Sequence, residues 1–169
     1  RCRTRVLANE YDPENSTTYG RGNLSFTSIN LPRIAIRATR GEIDFWKGLE
    51  EALNLVFDQL YSRYEVQAKR KVRNFPFLMG QGIWMGSENL GSNDEVREVI
   101  KHGSLSAGFI GLAETVKMLT GKHHGESKES WDLAYKIVKF MRDKADEKAK
   151  KTKLNYSILA TPAEGLSGR

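Results

Sequence analysis

Between Phe45 and Tyr64 the large apolar residues return every three or four positions: Phe45, Trp46, Leu49, Ala52, Leu53, Val56, Phe57, Leu60, Tyr61 and Tyr64. That spacing is the period of an α-helix with one apolar face. An amphipathic helix of this length must lay its stripe against another layer of structure. The segments around it supply strands. Leu24–Ile36 alternates apolar and polar residues after Gly20-Arg21-Gly22 and predicts a strand, with Pro32 marking a break or an edge in it. Ser104–Ile110 and Leu154–Ala160 read as two more strands. Between these two, Ala113, Val116, Met118 and Leu119 keep a helical period that Gly121 stops, and Trp131 to Ala145 keeps one that Ser127 caps. Strands separated by helices pair mostly in parallel, so the fold class is α/β, as a sheet or a barrel.

Two stretches are less regular. Phe75–Leu90 is rich in Gly, Met and aromatics and is read as a strand flanked by ordered loops. Ser92-Asn93-Asp94-Glu95 has capping-box spacing and predicts a short helix running to Lys101. No internal repeat or interdomain linker interrupts the 169 residues, which are treated as one block.

Composition narrows the function classes. With 39% hydrophobic and 28% charged residues the chain has the make-up of a soluble globular protein, and no apolar run approaches the roughly 20 residues of a membrane span. The net charge of +6 sits largely in Lys144–Lys153 and Lys69-Arg70-Lys71, both at helix ends where cations complement the dipole. No aromatics interleave with these charges, so no nucleic-acid partner is expected. A single cysteine, Cys2, and no secretory leader favour a reducing cytoplasm.

Several residues are candidates for chemistry. Cys2 cannot close a disulfide within the chain and is a buried bystander, a nucleophile or a radical carrier. At the other end a strand feeds Thr161-Pro162-Ala163-Glu164, with Thr161 as N-cap, Pro162 at the first helical position and Glu164 at capping-box distance. A helix start after a parallel strand offers unpaired amides and a positive dipole end to an anion, and the hydroxyls of Thr161 and Ser167 near Arg169 suit a phosphate. An ordinary capped helix that binds nothing is the plain reading of the same residues. The glycines of Gly20-Arg21-Gly22-Asn23 allow close approach of backbone or ligand, and the Asn23 amide can hold a ribose hydroxyl through donor and acceptor together. His123-His124-Gly125-Glu126 reads as an exposed loop and not a metal site, Met79, Trp84 and Met85 as packing residues, and Ser87–Leu90 as a polar loop able to line a substrate.

Four segments, taken in order, carry a resemblance. They are Cys2-Arg3-Thr4-Arg5, Gly20-Arg21-Gly22-Asn23-Leu24 running into Ile29-Asn30-Leu31-Pro32-Arg33, Gly108-Phe109-Ile110-Gly111-Leu112-Ala113-Glu114, and Thr161-Pro162-Ala163-Glu164. The chain resembles the middle-to-late catalytic part of the anaerobic (class III) ribonucleoside-triphosphate reductases, which are glycyl radical enzymes. Arg1 stands where that family usually has Gly. The resemblance implies that residues 1–169 are part of one catalytic domain, a ten-stranded α/β barrel truncated here at both ends. It implies that Cys2 becomes a thiyl radical and removes the ribose 3′ hydrogen, that Asn23 contacts the ribose, and that Thr161, Ala163, Glu164, Gly165, Leu166 and Ser167 hold the substrate phosphates. For this the thiol must lie within one nucleotide's span of Thr161.

The same resemblance implies partners outside the chain. The catalytic glycine lies beyond Arg169, its radical installed by an iron–sulfur S-adenosylmethionine activase, and the zinc site lies in the C-terminal region of the full-length protein. The substrate is a ribonucleoside triphosphate, the reductant formate or a thiol, and the full-length protein a cytoplasmic homodimer. Two other readings fit parts of the pattern: a glycyl radical lyase or dehydratase of the pyruvate formate-lyase or diol type, and a non-catalytic α/β module that binds phosphate. The isolated chain is expected to be inactive. With parallel edges exposed, it is also expected to be only marginally stable.

Overall fold

The computed structural model describes residues 8–15, 17–163 and 165. Three strands, β1 (Asn23–Asn30), β2 (Ser104–Ile110) and β3 (Asn155–Ala160), form one parallel sheet in the order β1-β2-β3. Among the described residues five α-helices accompany them: α1 (Leu31–Thr39), α2 (Phe45–Ala68), α3 (Arg97–Ile100), α4 (Leu112–Thr120) and α5 (Lys128–Thr152). The α/β class and the long helix read from the apolar period are both present, and β2, α4 and β3 lie within a residue of their predicted bounds.

The strand expected over Leu24–Ile36 ends at Asn30, and a helix takes its place. Asn30 caps α1 by accepting the Arg33 amide at 3.1 Å, and Pro32 lies in the first turn. There its fixed φ suits a helix and its missing donor costs nothing. Leu31, Ile34 and Ala35 are the buried residues, at helical spacing, so Pro32 starts a helix here and does not break a strand.

Phe75–Leu90 holds no strand. Gly82 and Gly86 have φ of +67° and +79°, and such turns leave no run of extended backbone for a ladder. The segment is pinned by one of its aromatic residues: Trp84 is 8% exposed and donates its indole N–H to the Val99 carbonyl at 2.8 Å. The capping box at Ser92 is absent too, because its backbone is committed elsewhere. Val72 donates to Asp94, Arg73 to Ser92 and Val96 to Arg70, while Lys71 and Glu95 form an antiparallel bridge. The helix therefore waits until Arg97.

Residue contacts divide the chain into two compact units. The first comprises the described residues up to Phe26, Asp58–Ser106 and Glu147–Ser157. Its core gathers Leu60, Tyr64, Val96, Leu105 and Tyr156, each at most 3% exposed. Burial pushes the Tyr64 hydroxyl up to about 12. Within this unit α2 covers β1: Gln67 donates to the Leu24 carbonyl at 3.2 Å and Arg63 to the Phe26 carbonyl at 3.1 Å. Such contacts cover part of an edge strand that would otherwise offer its acceptors to another chain.

The second unit comprises Thr27–Phe57, Ala107–Asp146 and the described residues from Ile158 onward. Leu31, Leu49, Val116 and Ile137 are fully buried in it. Here α1 packs on α4, and Gly111, with φ of +72°, lies so close to the Pro32 ring that any side chain would clash. The predicted caps hold: the Ser130 amide donates to Ser127 Oγ at 3.2 Å, and Gly121 closes α4 at φ +84°.

Candidate functional site

The first unit contains a buried network of amide groups at the start of the strands. Asn155 Oδ1 accepts the Glu10 amide at 2.7 Å, which fixes the orientation of that side chain. Its Nδ2 therefore faces Asn9 Oδ1 at 3.2 Å and the carbonyls of Lys101, His102 and Gly103 at 3.2 to 3.3 Å. With Asn9 Oδ1 engaged, Asn9 Nδ2 donates to the Asn15 carbonyl and to His102 Nδ1 at 2.9 Å. That nitrogen must then be an acceptor, so the imidazole is neutral with its proton on Nε2. Burial lowers the His102 pKa, an effect that the charges of Arg21 and Lys101 reinforce and Asp12 opposes.

Arg21 belongs to the same cluster. Its Nε donates to the His102 carbonyl at 2.7 Å and Nη1 to the Thr17 carbonyl at 2.9 Å. Nη2 is buried with no acceptor among the described residues, and desolvation lowers the pKa of the guanidinium. The glycines on either side of Arg21 serve close packing, as expected from sequence. Gly20 accepts the Met85 amide at 2.7 Å, and Gly22 lies against the Trp84 ring.

Asn23 follows directly. Its Nδ2 donates to Ser106 Oγ at 2.5 Å, and Ser106 Oγ lies 2.9 Å from Ser157 Oγ. One polar side chain from each strand thus forms a line across the sheet, with both serines at most 2% exposed. An amide has two donors and two acceptor lone pairs, so the contact with Ser106 leaves Asn23 capacity for a second partner.

The carboxyl end of β3 lies in the second unit. Thr161 donates its amide to the Phe109 carbonyl at 3.0 Å, and its Oγ1 is 2.6 Å from Ser28 Oγ. Thr161, Pro162 and Ala163 are not helical, and Ala163 has a left-handed φ of +50°. This corrects the expected cap: Pro162 is not a first helical residue, because Thr161 still continues the β2–β3 ladder. Helical backbone is reached at Gly165, around which a Cβ would meet no atom within 4 Å.

Asn23 therefore belongs to the first unit, and Thr161, Ala163 and Gly165 to the second. Cys2, Glu164, Leu166 and Ser167 lie outside the described residues. His123-His124-Gly125-Glu126 forms a loop in which Glu126 accepts the His123 amide at 2.6 Å, and its side chains are half-exposed or exposed. Among the described residues no three His, Cys, Asp or Glu side chains group to hold a metal ion, and no helix is long and apolar enough to cross a membrane. Ser87, Glu88 and Leu90 do line an open cavity of about 690 Å³, with Arg73, Met79 and Ser92, but no residue predicted to bind substrate joins them.

The sequence reading missed Ser106, Ser157, Ser28 and the Asn9–Asn155 pair. Their signal was present but faint: small polar residues inside otherwise apolar strands, which only the neighbouring strands make meaningful.

A parallel sheet accompanied by helices is the framework of the α/β class. The family model for anaerobic ribonucleoside-triphosphate reductase matches residues 1–169, and the chain belongs to this family of enzymes. It is 36% identical over 153 residues to the anaerobic ribonucleoside-triphosphate reductase of Escherichia coli (strain K12), and equally to that of Salmonella typhimurium; the match covers 89% of this chain and 21% of each relative. The protein of the same name from Enterobacteria phage T4 is 28% identical over 174 residues, covering 99% of this chain and 27% of its own length. The chain thus spans about a fifth to a quarter of the length of these curated relatives.

Proposed function

We propose that residues 1–169 are part of one catalytic domain, a ten-stranded barrel of the glycyl radical type, in a protein that reduces ribonucleoside triphosphates to 2′-deoxyribonucleoside triphosphates. The observation that carries this reading is the family match over the whole chain. The chemistry assigned to the residues follows from their types. The Cys2 thiyl removes the 3′ hydrogen of the ribose, and the sulfur is restored by returning a hydrogen at the end of the turnover. The 2′ hydroxyl leaves as water, helped by polar groups around the ring and a site closed to solvent. Overall, ribonucleotide, formate and a proton give deoxyribonucleotide, carbon dioxide and water, with a dithiol as the alternative two-electron donor. The glycyl radical of the full-length protein, installed by its activase, supplies the oxidising equivalent that starts the cycle. The protein contributes positioning and exclusion of water.

Asn23 is the ribose-facing amide in this scheme, and its hydrogen bond to the buried Ser106 supports the assignment by holding the side chain in one orientation. Thr161, Ala163, Glu164, Gly165, Leu166 and Ser167 hold the phosphates, an assignment supported by their place after the carboxyl end of a parallel strand. The full-length protein works as a homodimer in the cytoplasm, and this chain alone is inactive. The test is Cys2→Ser in the full-length, activated protein: ribonucleotide reduction should fall below detection. Retained reduction would remove the radical role of Cys2.

A further inference from the structure

We propose that Ser28 is a positioning residue for the substrate-phosphate turn: bonded to Thr161 across the side-chain-free Gly108, its hydroxyl fixes where Thr161 sits and which way the Thr161 proton points. This rests on the reading of Thr161–Ser167 as the phosphate-holding segment.

All three strands contribute to the arrangement. Ser28 lies near the end of β1, Gly108 near the end of β2, and Thr161 immediately after β3. The two hydroxyl oxygens are 2.6 Å apart, a good O–H···O distance. They meet over Gly108, where a Cβ would lie 2.6 Å from Ser28 Oγ and still closer to Thr161 Oγ1. Glycine on the central strand is therefore the condition for the outer two hydroxyls to touch.

The backbone of Thr161 is already held, since its amide donates to Phe109. What remains adjustable is the hydroxyl, which has one proton to give and two lone pairs to receive. When Ser28 donates, Thr161 Oγ1 accepts and its own proton is released toward an outside acceptor. A phosphate oxygen at that point selects this arrangement, and the two hydrogen bonds strengthen each other in series. Two residues further on, Ala163 holds a left-handed φ of +50°, a conformation that L residues keep only where their surroundings fix it. Thr161 is the anchored residue just before that turn.

Ser28 is itself exposed, so its hydroxyl is not needed to satisfy a buried group. A structural role would show in stability; a positioning role shows in discrimination between ligands. The experiment measures equilibrium binding of a ribonucleoside triphosphate, and of the same ribonucleoside without phosphates, to the full-length protein and its Ser28→Thr and Ser28→Val variants. The pair shares one shape and differs in the hydroxyl. Ser28→Thr should bind the triphosphate as the parent does. Ser28→Val should bind it about fivefold more weakly, the effect of one hydrogen bond, with nucleoside affinity and thermal midpoint unchanged. If Ser28→Val holds the triphosphate within about twofold of Ser28→Thr, or loses nucleoside affinity equally, Ser28 has no such role. A parent protein that binds triphosphate no better than nucleoside removes the phosphate reading itself, a different failure from the other two.

Discussion

Two polar clusters, one in each compact unit, are built on different terms. Around Asn155 and Asn9, which are 4% and 1% exposed, every amide atom is tied to another, and the orientation of each side chain dictates the next. Around Thr161 a single contact joins two hydroxyls in the open. The first arrangement has one solution and no proton free to move. In the second either hydroxyl can be the donor, which leaves two assignments for a ligand to choose between. Buried networks confer rigidity because an unmet partner there is costly, whereas an exposed pair can exchange its partner for water at little cost.

The largest expected effect breaks the first cluster. Asn155→Ala leaves the Glu10 amide, Asn9 and the carbonyls of residues 101–103 without their partner. It should destabilise the protein by about 3 kcal/mol in chemical denaturation, the range for breaking a buried network. A loss below about 1 kcal/mol would show that the two clusters do not differ in kind. Next in size is Gly108→Ala. The added methyl drives into both hydroxyls and should cost about 2 kcal/mol, as overpacking does, while weakening triphosphate binding in the full-length protein. Unchanged triphosphate affinity would detach Gly108 from the phosphate turn.

These clusters also mark where the sequence was legible. The period from Phe45 to Tyr64 needs only one apolar face to be read, and it delivered the start of α2 at Phe45, while the helix runs past Tyr64 to Ala68. Ser104–Ile110 and Asn155–Ala160 were legible because their apolar runs are short and bounded by turns. Pro32 misled because proline signals both a strand break and a helix start, and the buried Leu31, Ile34 and Ala35 decide between them only once seen as a face. Ser92–Glu95 misled because its capping signal is local, while its pairing with residues 70–73 is not. Asn23 and Thr161 stood out by their neighbours in the chain. Ser106, Ser28 and Asn155 act through residues distant in sequence, and no spacing rule could join them.

A smaller effect sharpens the comparison through pH. Burial depresses the folded-state pKa of His102 below its ordinary value, so between the two values the unfolded chain binds a proton that the folded chain refuses. Stability is therefore fully present above about pH 6.5 and falls as the pH drops from there toward the folded value. Protonation would also turn Nδ1 into a donor facing the Asn9 amide N–H. His102→Gln should flatten the denaturation midpoint relative to the parent between about pH 7 and pH 5, a range that brackets the ordinary histidine pKa. A parallel decline in both proteins would place the acid sensitivity elsewhere. The Ser28–Thr161 contact has no group that titrates in this window, whereas a terminal phosphate does, so the ratio of triphosphate affinities between Ser28→Thr and Ser28→Val should stay constant across it.

The smallest effect tests whether the second cluster is as loosely held as its exposure implies. Ser28→Ala removes one hydroxyl that water can replace and should cost less than about 1 kcal/mol of stability. The same change opens space on one side of Gly108, because the oxygen 2.6 Å from the prospective Cβ is gone. Gly108→Ala should then be milder in the Ser28→Ala background than alone, by about 0.5 to 1 kcal/mol, as for contacting residues in a double-mutant cycle. Strict additivity would mean that the strain of the new methyl falls on Thr161 alone. Coupling of the expected sign would mean that three strands share one small volume, which a glycine keeps open for two hydroxyls.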